Sequence, residues 1–182
     1  MKNESRTRYT KGLIRIALFE CLKSRGSMKD VTVKEVCERA NMNRSTFYSH
    51  FRDCYDVLEQ VEAAAVRDFE DIFIKSEGLL TPAFAENIAG LLKRYDDLFG
   101  ACADGSIDDA VKEKMIEVSY NLCIGRNRNR LPAGREKEAE MYFSSASATF
   151  YQLTITERGR YTPEEILTFM NRLYGDSIRQ FM

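Results

Sequence analysis

An all-α fold is what this sequence predicts, with a short three-helix head over residues 1–53 and a larger helical body over residues 54–182. Three observations carry it. Apolar residues recur at i, i+3, i+4 and i+7 through most of the chain. Val, Ile and Thr rarely alternate with polar residues over a strand's length. Helix-start signals, a Thr followed by Pro or by an acid three residues on, stand ahead of several of those stripes. With 182 residues, and only three Pro and ten Gly, the chain can bury one large core or two small ones.

The first helix spans about Thr10 to Ser24, where Ile14, Ala17, Leu18, Cys21 and Leu22 make a complete apolar stripe. Thr32 caps a second helix and Glu35 completes its capping box; Val33, Val36, Cys37 and Ala40 give it one narrow apolar side. That helix is too short to stand alone. It stops at Asn41, the residue type after Gly that best tolerates the left-handed backbone of a sharp turn. Asn43 caps a third helix, whose outer face carries Arg44, Ser45, Tyr48 and Ser49 while Phe47 and Phe51, four apart, anchor it inward. Neighbouring helical positions point about 100° apart, so Tyr48 turns outward where Phe47 turns in. Two short helices across a tight turn form a helix-turn-helix, with the third helix built to meet DNA.

The body follows. A fourth helix runs from about Cys54 to Lys75, with Leu58, Val61, Ala65, Phe69 and Ile72 along one side. Thr81-Pro82, a cap with Pro at the first helical position, opens a fifth to about Arg94, and Tyr95 to Cys102 forms a further turn or two. Ser106 with Asp109 offers a capping pair for a helix through about Gly125, turning Val111, Met115, Val118 and Leu122 inward. Arg126 to Gly134 reads as a solvated loop, its arginines being alternatively a second anion contact. From about Arg135 to Thr156, Ala139, Phe143, Ala146, Phe150 and Leu153 repeat at 4-3-4-3 spacing beside Ser144, Ser145, Ser147 and Ala148, small residues that permit close helix approach. Thr162-Pro163-Glu164-Glu165 launches a last helix bearing Ile166, Phe169, Met170, Leu173, Tyr174 and Ile178. That apolar girdle is wider than one intramolecular neighbour needs, which predicts a second copy against it; the alternative is a hairpin packed wholly on its own chain.

Charge distribution supports the DNA reading. The chain's net charge is −1, yet residues 1–52 hold twelve Lys and Arg against five acids, a net of +7 that leaves −8 for the remainder. A basic head on an acidic body is the electrostatic footprint of a phosphate-facing head. The N-terminus MKNESRTRYTKG lacks the apolar stretch of a signal peptide, and no apolar run is long enough for a bilayer, so the chain is expected in the cytoplasm and off membranes. The five cysteines are scattered without a CxxC pair, against a disulfide framework, a zinc site or any other metal centre. Most are expected as core filler; Cys54 is the candidate for reactivity, because a helix N-terminus lowers a thiol pKa. The one histidine, His50, falls in the third helix, and no phosphate loop, nucleophile elbow or paired carboxylates stand out, so neither enzyme activity nor a cofactor is expected.

From Thr10 to Leu58 the chain resembles the TetR family of bacterial transcriptional regulators, whose signature runs here through Asn41, Thr46, Phe47, Tyr48, His50, Phe51 and Asp53. Two positions depart: Asn41 stands where the family usually has Gly, and Cys54 where it usually has a phosphate-binding Lys. The resemblance implies a homodimeric repressor, its head a DNA-binding domain and its body a regulatory and dimerisation domain, with two recognition helices reading a palindromic double-stranded operator in major grooves about 34 Å apart. The DNA-facing candidates are Thr32, Lys34, Asn43, Arg44, Ser45, Thr46, Tyr48, Ser49 and His50. Lys34, Tyr48 and His50 are assigned to phosphates, and Arg44, Ser45 and Thr46 to base edges. Thr46 has the alternative of only favouring the turn, and His50 that of packing on Phe51. A small apolar effector is implied in the body, with Phe69, Phe73, Phe99, Met115, Tyr120, Cys123 and Phe150 as candidates to line its cavity or, alternatively, plain core. In relatives the last two helices pair with their copies, which makes Phe143, Phe150, Ile166, Met170, Leu173, Tyr174 and Ile178 the candidate dimer interface. The rival reading is a protein of this fold acting through a protein partner, as co-activator or adaptor, with DNA binding secondary or lost.

Overall fold

A computed structural model describes residues 2–76, 81–108, 110–127 and 134–181. These form nine α-helices and no strand: α1 (Lys2–Arg25), α2 (Val33–Arg39), α3 (Arg44–Tyr48), α4 (Cys54–Lys75), α5 (Pro82–Arg94), α6 (Asp96–Ala103), α7 (Ala110–Asn127), α8 (Glu136–Tyr151) and α9 (Pro163–Phe181). A 3-10 turn occupies Met28–Asp30, and a π-helical segment, Gln152–Thr156, continues α8. No described helix is long and apolar enough to cross a membrane. The chain divides into two compact units, Met1–Ala64 with Asp97–Asp108, and Ala65–Asp96 with Asp109–Met182. The continuous helix α4 contributes to both.

In the first unit the stripe of α1 lies inward, with Ile14, Ala17, Leu18, Cys21 and Leu22 all buried. Val36, Phe47, Val57 and Leu58 join them from α2, α3 and α4, with Phe51 from the connection between α3 and α4. The helix α1 begins at Lys2, eight residues ahead of the expected Thr10, because nothing in KNESRTRY breaks a helix once the stripe downstream has nucleated one. Residues of α6 also belong to this unit: Leu98 and Phe99 are fully buried. Arg15 holds Asp97 through two bonds, Nε to Oδ2 at 3.1 Å and a terminal nitrogen to Oδ1 at 2.5 Å. The Met28 N–H donates to the Ser106 carbonyl at 3.3 Å. Ser106 therefore serves the turn around Gly105, where its hydroxyl donates to Asp104 Oδ1 at 2.5 Å, and is not the cap of the next helix; α7 starts at Ala110 and Asp109 lies outside the described residues.

The second unit takes the far part of α4 with α5, α7, α8 and α9. Thr81 caps α5, its hydroxyl accepting the Phe84 N–H at 3.2 Å with Pro82 next in line. Phe69, Phe73, Phe84 and Phe150 form a run of aromatic contacts, with centroid separations of 4.9, 5.2 and 6.2 Å. At its other end Ala146, Ile166 and Met170 pack with Phe150, Leu153 and Tyr174. Thr162 and Glu165 exchange backbone bonds at 2.8 and 3.2 Å to open α9. The helix expected through Thr156 changes register at Gln152, where the Glu157 N–H donates to the Gln152 carbonyl five residues back at 2.9 Å and the Thr154 hydroxyl donates to the Phe150 carbonyl at 2.7 Å. Such single π turns insert one residue into an α-helix. The arginine-rich loop lies largely outside the described residues.

One expectation is corrected. Cys54 sits at the first position of α4 but is only 4% exposed, and burial foremost, then the neighbouring Asp53 carboxylate, pushes its thiol up to about 11 from the ordinary 9.0. Desolvation outweighs the helix terminus and holds the thiol in its protonated form. Burial raises Cys21 and Cys37 as well. Because the folded thiol keeps its proton after the unfolded one has lost it, stability is intact below pH 9 and falls as pH rises from 9 to about 11. Wild type should lose about 2–3 kcal/mol more than Cys54→Ala across that window. Parallel urea titrations of both proteins from pH 8 to 11 measure it, and superimposable pH profiles would refute the assignment.

Candidate nucleic-acid interface

Two helices of seven and five residues carry no stability of their own, so their ends and anchors determine the site. Thr32 and Glu35 form the capping box of α2: the Glu35 N–H donates to Thr32 Oγ1 at 3.3 Å and the Thr32 N–H to Glu35 Oε2 at 3.1 Å. Arg25, at the end of α1, pairs with the same carboxylate and ties the two helices. Asn41 takes the left-handed conformation at φ 50°, among described residues the one non-glycine residue with positive φ. Behind it the Met42 N–H donates to the Cys37 carbonyl at 3.0 Å. The side chain of Asn43 then caps α3 through a single atom: its carbonyl oxygen accepts the Thr46 N–H at 2.8 Å, the Ser45 hydroxyl at 2.7 Å and the Thr46 hydroxyl at 2.9 Å.

Phe47 fixes the rotation of α3. It is fully buried, with Phe51 at 5.8 Å and the Tyr48 ring edge-on at 5.6 Å. Arg44, Ser45, Tyr48 and Ser49 are in consequence exposed together with Thr32, Lys34 and Asn43, and Tyr48 is 55% accessible. Thr46 and His50 are half-buried at the edge of that face. Arg44 has no ion-pair partner among the described residues, whereas Lys34 lies 3.9 Å from Glu38, an exposed pair worth little and easily exchanged for a phosphate. Each of the sequence-predicted DNA residues is thus exposed or half-buried.

Two groups of the first unit escaped the sequence reading. Tyr55, in the first turn of α4, is 49% exposed. It flanks the apolar stripe rather than lying in it, which was the available signal. Lys11 places its ammonium over the Phe51 ring at 5.1 Å and donates to Gln60 Oε1 at 2.9 Å. At the start of α4 the Asp56 N–H donates to Asp53 Oδ1 and the Arg52 N–H to Asp56 Oδ2, both at 2.8 Å. That Arg52 amide bond, foremost, holds the Asp56 carboxyl below the ordinary range. Cys54 faces the core and reaches no phosphate.

The ligand candidates are brought together only in part, Phe69, Phe73 and Phe150 belonging to the one aromatic run through Phe84. Phe99 is fully buried within the first unit, Phe69, Phe73 and Met115 are buried in the second, Tyr120 is half-buried, and the side chain of Cys123 is outside the described residues. What the second unit does hold is a narrow apolar crevice of about 30 Å³, partly open to solvent, lined by Phe84, Ile88, Leu92, Phe150, Ile166 and Met170 with Thr154 among them. Of the candidates, Phe150 alone lines it. Among the dimer candidates, Phe143, Ile166 and Met170 are buried in their own chain, and Phe150 and Tyr174 are half-buried. Tyr174 is held by α8: its carbonyl accepts the Tyr142 hydroxyl at 2.6 Å and its hydroxyl meets Thr149 Oγ1 at 2.9 Å. Leu173 is 51% exposed, and the side chain of Ile178 is outside the described residues.

The fold and this surface define a class, a helix-turn-helix protein with a helical body. Residues 18–61, the helix-turn-helix head, match the family model of the bacterial regulatory proteins, tetR family. Two solved structures share the fold. A candidate transcriptional regulator from Pseudomonas aeruginosa PAO1 is 18% identical, with 94% of this chain and 93% of that one covered at a TM-score of 0.60. The TetR family repressor AlkX from Dietzia sp. strain DQ12-45-1b, implicated in biodegradation of n-alkanes, is 17% identical, with 94% and 96% covered at 0.54. No curated protein matches the chain.

Proposed function

We propose that the protein is a homodimeric, ligand-responsive repressor that reads a palindromic operator. The observation that carries the DNA part is the common exposure of Lys34, Arg44, Ser45 and Tyr48 on a helix-turn-helix whose second helix has its rotation fixed by Phe47. Arg44, at the start of α3 and without an ion-pair partner among described residues, is placed to read a base edge, most simply guanine through O6 and N7. Lys34 and Tyr48 flank it as phosphate contacts, with His50 at the margin. Ser45 and Thr46 face bases with their hydroxyl protons already given to Asn43.

Dimerisation is supported by what α8 and α9 leave uncovered. Met141, Phe169 and Leu173 are 67%, 44% and 51% exposed, beside the small exposed residues Ser145 and Ala148. A second copy would cover these and not the buried Phe143, Ile166 and Met170. For the effector, the crevice between α5, α8 and α9 offers aliphatic and aromatic walls that match a small hydrocarbon-like molecule, and at about 30 Å³ it has to widen to admit one. The n-alkane connection of the Dietzia repressor agrees with that chemistry.

Three measurements test this reading. On an operator selected from random duplexes, Arg44→Ala should lose roughly 1–3 kcal/mol and relax one base pair per half-site, while Lys34→Ala weakens all sequences alike and flattens the salt dependence. Identical sequence profiles for the two variants would refute the roles, and no sequence-selective binding by wild type would favour the adaptor reading. Sedimentation of Leu173→Glu should give monomers; an unchanged dimer rules out this face. Finally, dodecane or dodecanol should raise the melting temperature and release operator DNA from wild type but not from Phe150→Gln, and equal responses of the two proteins would remove the crevice from consideration.

A further inference from the structure

Where a hydroxyl sends its proton decides what it can read, and on α3 the protons can be located. Ser45 stands two residues before Phe47 and Ser49 two after, so each lies about 200° around the helix from that buried ring. The two serines are therefore about 40° apart on the far side. Both are exposed. The Thr46 N–H meets one atom of the Asn43 amide at 2.8 Å, and a donor there requires that atom to be the oxygen. An amide oxygen carries no proton, so the hydroxyls of Ser45 and Thr46, 2.7 and 2.9 Å from the same atom, are its donors. The Ser49 hydroxyl gives its proton to the Thr46 carbonyl at 2.7 Å. A hydroxyl has one proton, and lone pairs are all that Ser45 and Ser49 have left to present outward.

A free serine hydroxyl donates or accepts and so reads either kind of base edge. With its proton held back it becomes selective. Guanine O6 and thymine O4 then set lone pair against lone pair, whereas adenine N6 and cytosine N4 supply the missing proton. We propose that Asn43 is a positioning residue for recognition: by holding the Ser45 proton it makes the outer ridge of α3 acceptor-only. Each half-site then carries an exocyclic amine, adenine N6 or cytosine N4, on the base that faces Ser45. Ser49, one turn on and about 6 Å along the axis, takes a second amine within about two base-pair steps of the first. The residue type at the cap matters. A serine or threonine there would satisfy the Thr46 amide but would have a proton of its own to offer, whereas the amide oxygen of Asn43 has none and draws both neighbouring protons to itself.

This inference rests on the DNA-binding reading, and its test separates the two. The full chain selects a duplex from a random pool, and each adenine or cytosine of the half-site is replaced singly by its counterpart lacking the amine, purine or 2-pyrimidinone. At one position wild type should lose roughly fivefold more affinity than Ser45→Ala does, the scale of one hydrogen bond. At a second position the same difference should separate wild type from Ser49→Ala. Asn43→Gly, a cap substitution that costs a helix little, frees the Ser45 proton and should accept guanine or thymine at the first position with at most about a twofold penalty. Asn43→Asp, whose carboxylate can take the same three donors, should bind more weakly overall yet keep the wild-type base preference. A cap that served stability alone would weaken all sequences alike. Equal penalties for wild type and Ser45→Ala at every position, or guanine or thymine as the base that depends on Ser45, overturn the acceptor ridge. So does an unchanged base preference in Asn43→Gly with a wild-type melting temperature, or a lost one in Asn43→Asp. Absence of sequence-selective binding by wild type overturns both readings.

Discussion

The interface depends first on the complete burial of Phe47. A five-residue helix has one backbone turn and no stability in reserve, so nothing within α3 sets its rotation about its own axis. Phe47 does, by occupying the core with Phe51 and leaving the adjacent Tyr48 turned out. The rotation places Arg44, Ser45 and Ser49 outward in the same step, since each position is tied to Phe47 by the helix period. Asn41 and Asn43 set where α3 begins, and Phe47 sets which way it faces. An aliphatic residue at position 47 would fill less of that site, and the whole polar face would lose its reference.

The cap of α3 has a chemical consequence for recognition. Three donors converge on the side-chain oxygen of Asn43, two of them the hydroxyls of Ser45 and Thr46. With those protons committed, the two hydroxyl oxygens are left as acceptors toward the duplex of the proposed reading. In the major groove the donors they could accept from are adenine N6 and cytosine N4. Arg44 is donor only and suited to guanine. One short helix thus offers acceptors and a donor within three consecutive positions, and the cap that stabilises it also selects which role each side chain plays.

Much of this was legible in the sequence because helix starts are written in local chemistry. Thr32 with Glu35, Asn43, Thr81-Pro82 and Thr162 with Glu165 each satisfy amides within three residues of themselves, and all four stand at the starts of their helices. What was not legible was set by distant contacts. Ser106 and Asp109 have the spacing of a cap, but Ser106 is taken by the turn at Gly105 and by Met28 across the unit. Cys54 has the position of an activated thiol, and its burial reverses the effect. The extra turns of α1 have no stripe to announce them. The π segment after Tyr151 leaves no trace in the pattern because a single inserted residue shifts the phase at the very end of the stripe.

The same limit explains the body, where an apolar arc could be read but not apportioned. On α9 the positions Phe169, Leu173, Ile166, Met170 and Tyr174 succeed one another around the helix, in that order, at 100° per residue. The sequence shows one wide girdle. The fold splits it: Ile166 and Met170 face the protomer's own core and line the crevice, while Phe169 and Leu173 remain exposed at the other margin. If a second copy covers the outer margin, a molecule entering the crevice presses on the inner margin of the same helix, less than one turn of rotation away. Coupling between effector and assembly then needs no long chain of contacts, only an α9 whose position suits the bound and the free crevice unequally. The energy available is the difference in the effector's affinity for the two positions, and a few kcal/mol of it suffices for a large change in operator occupancy.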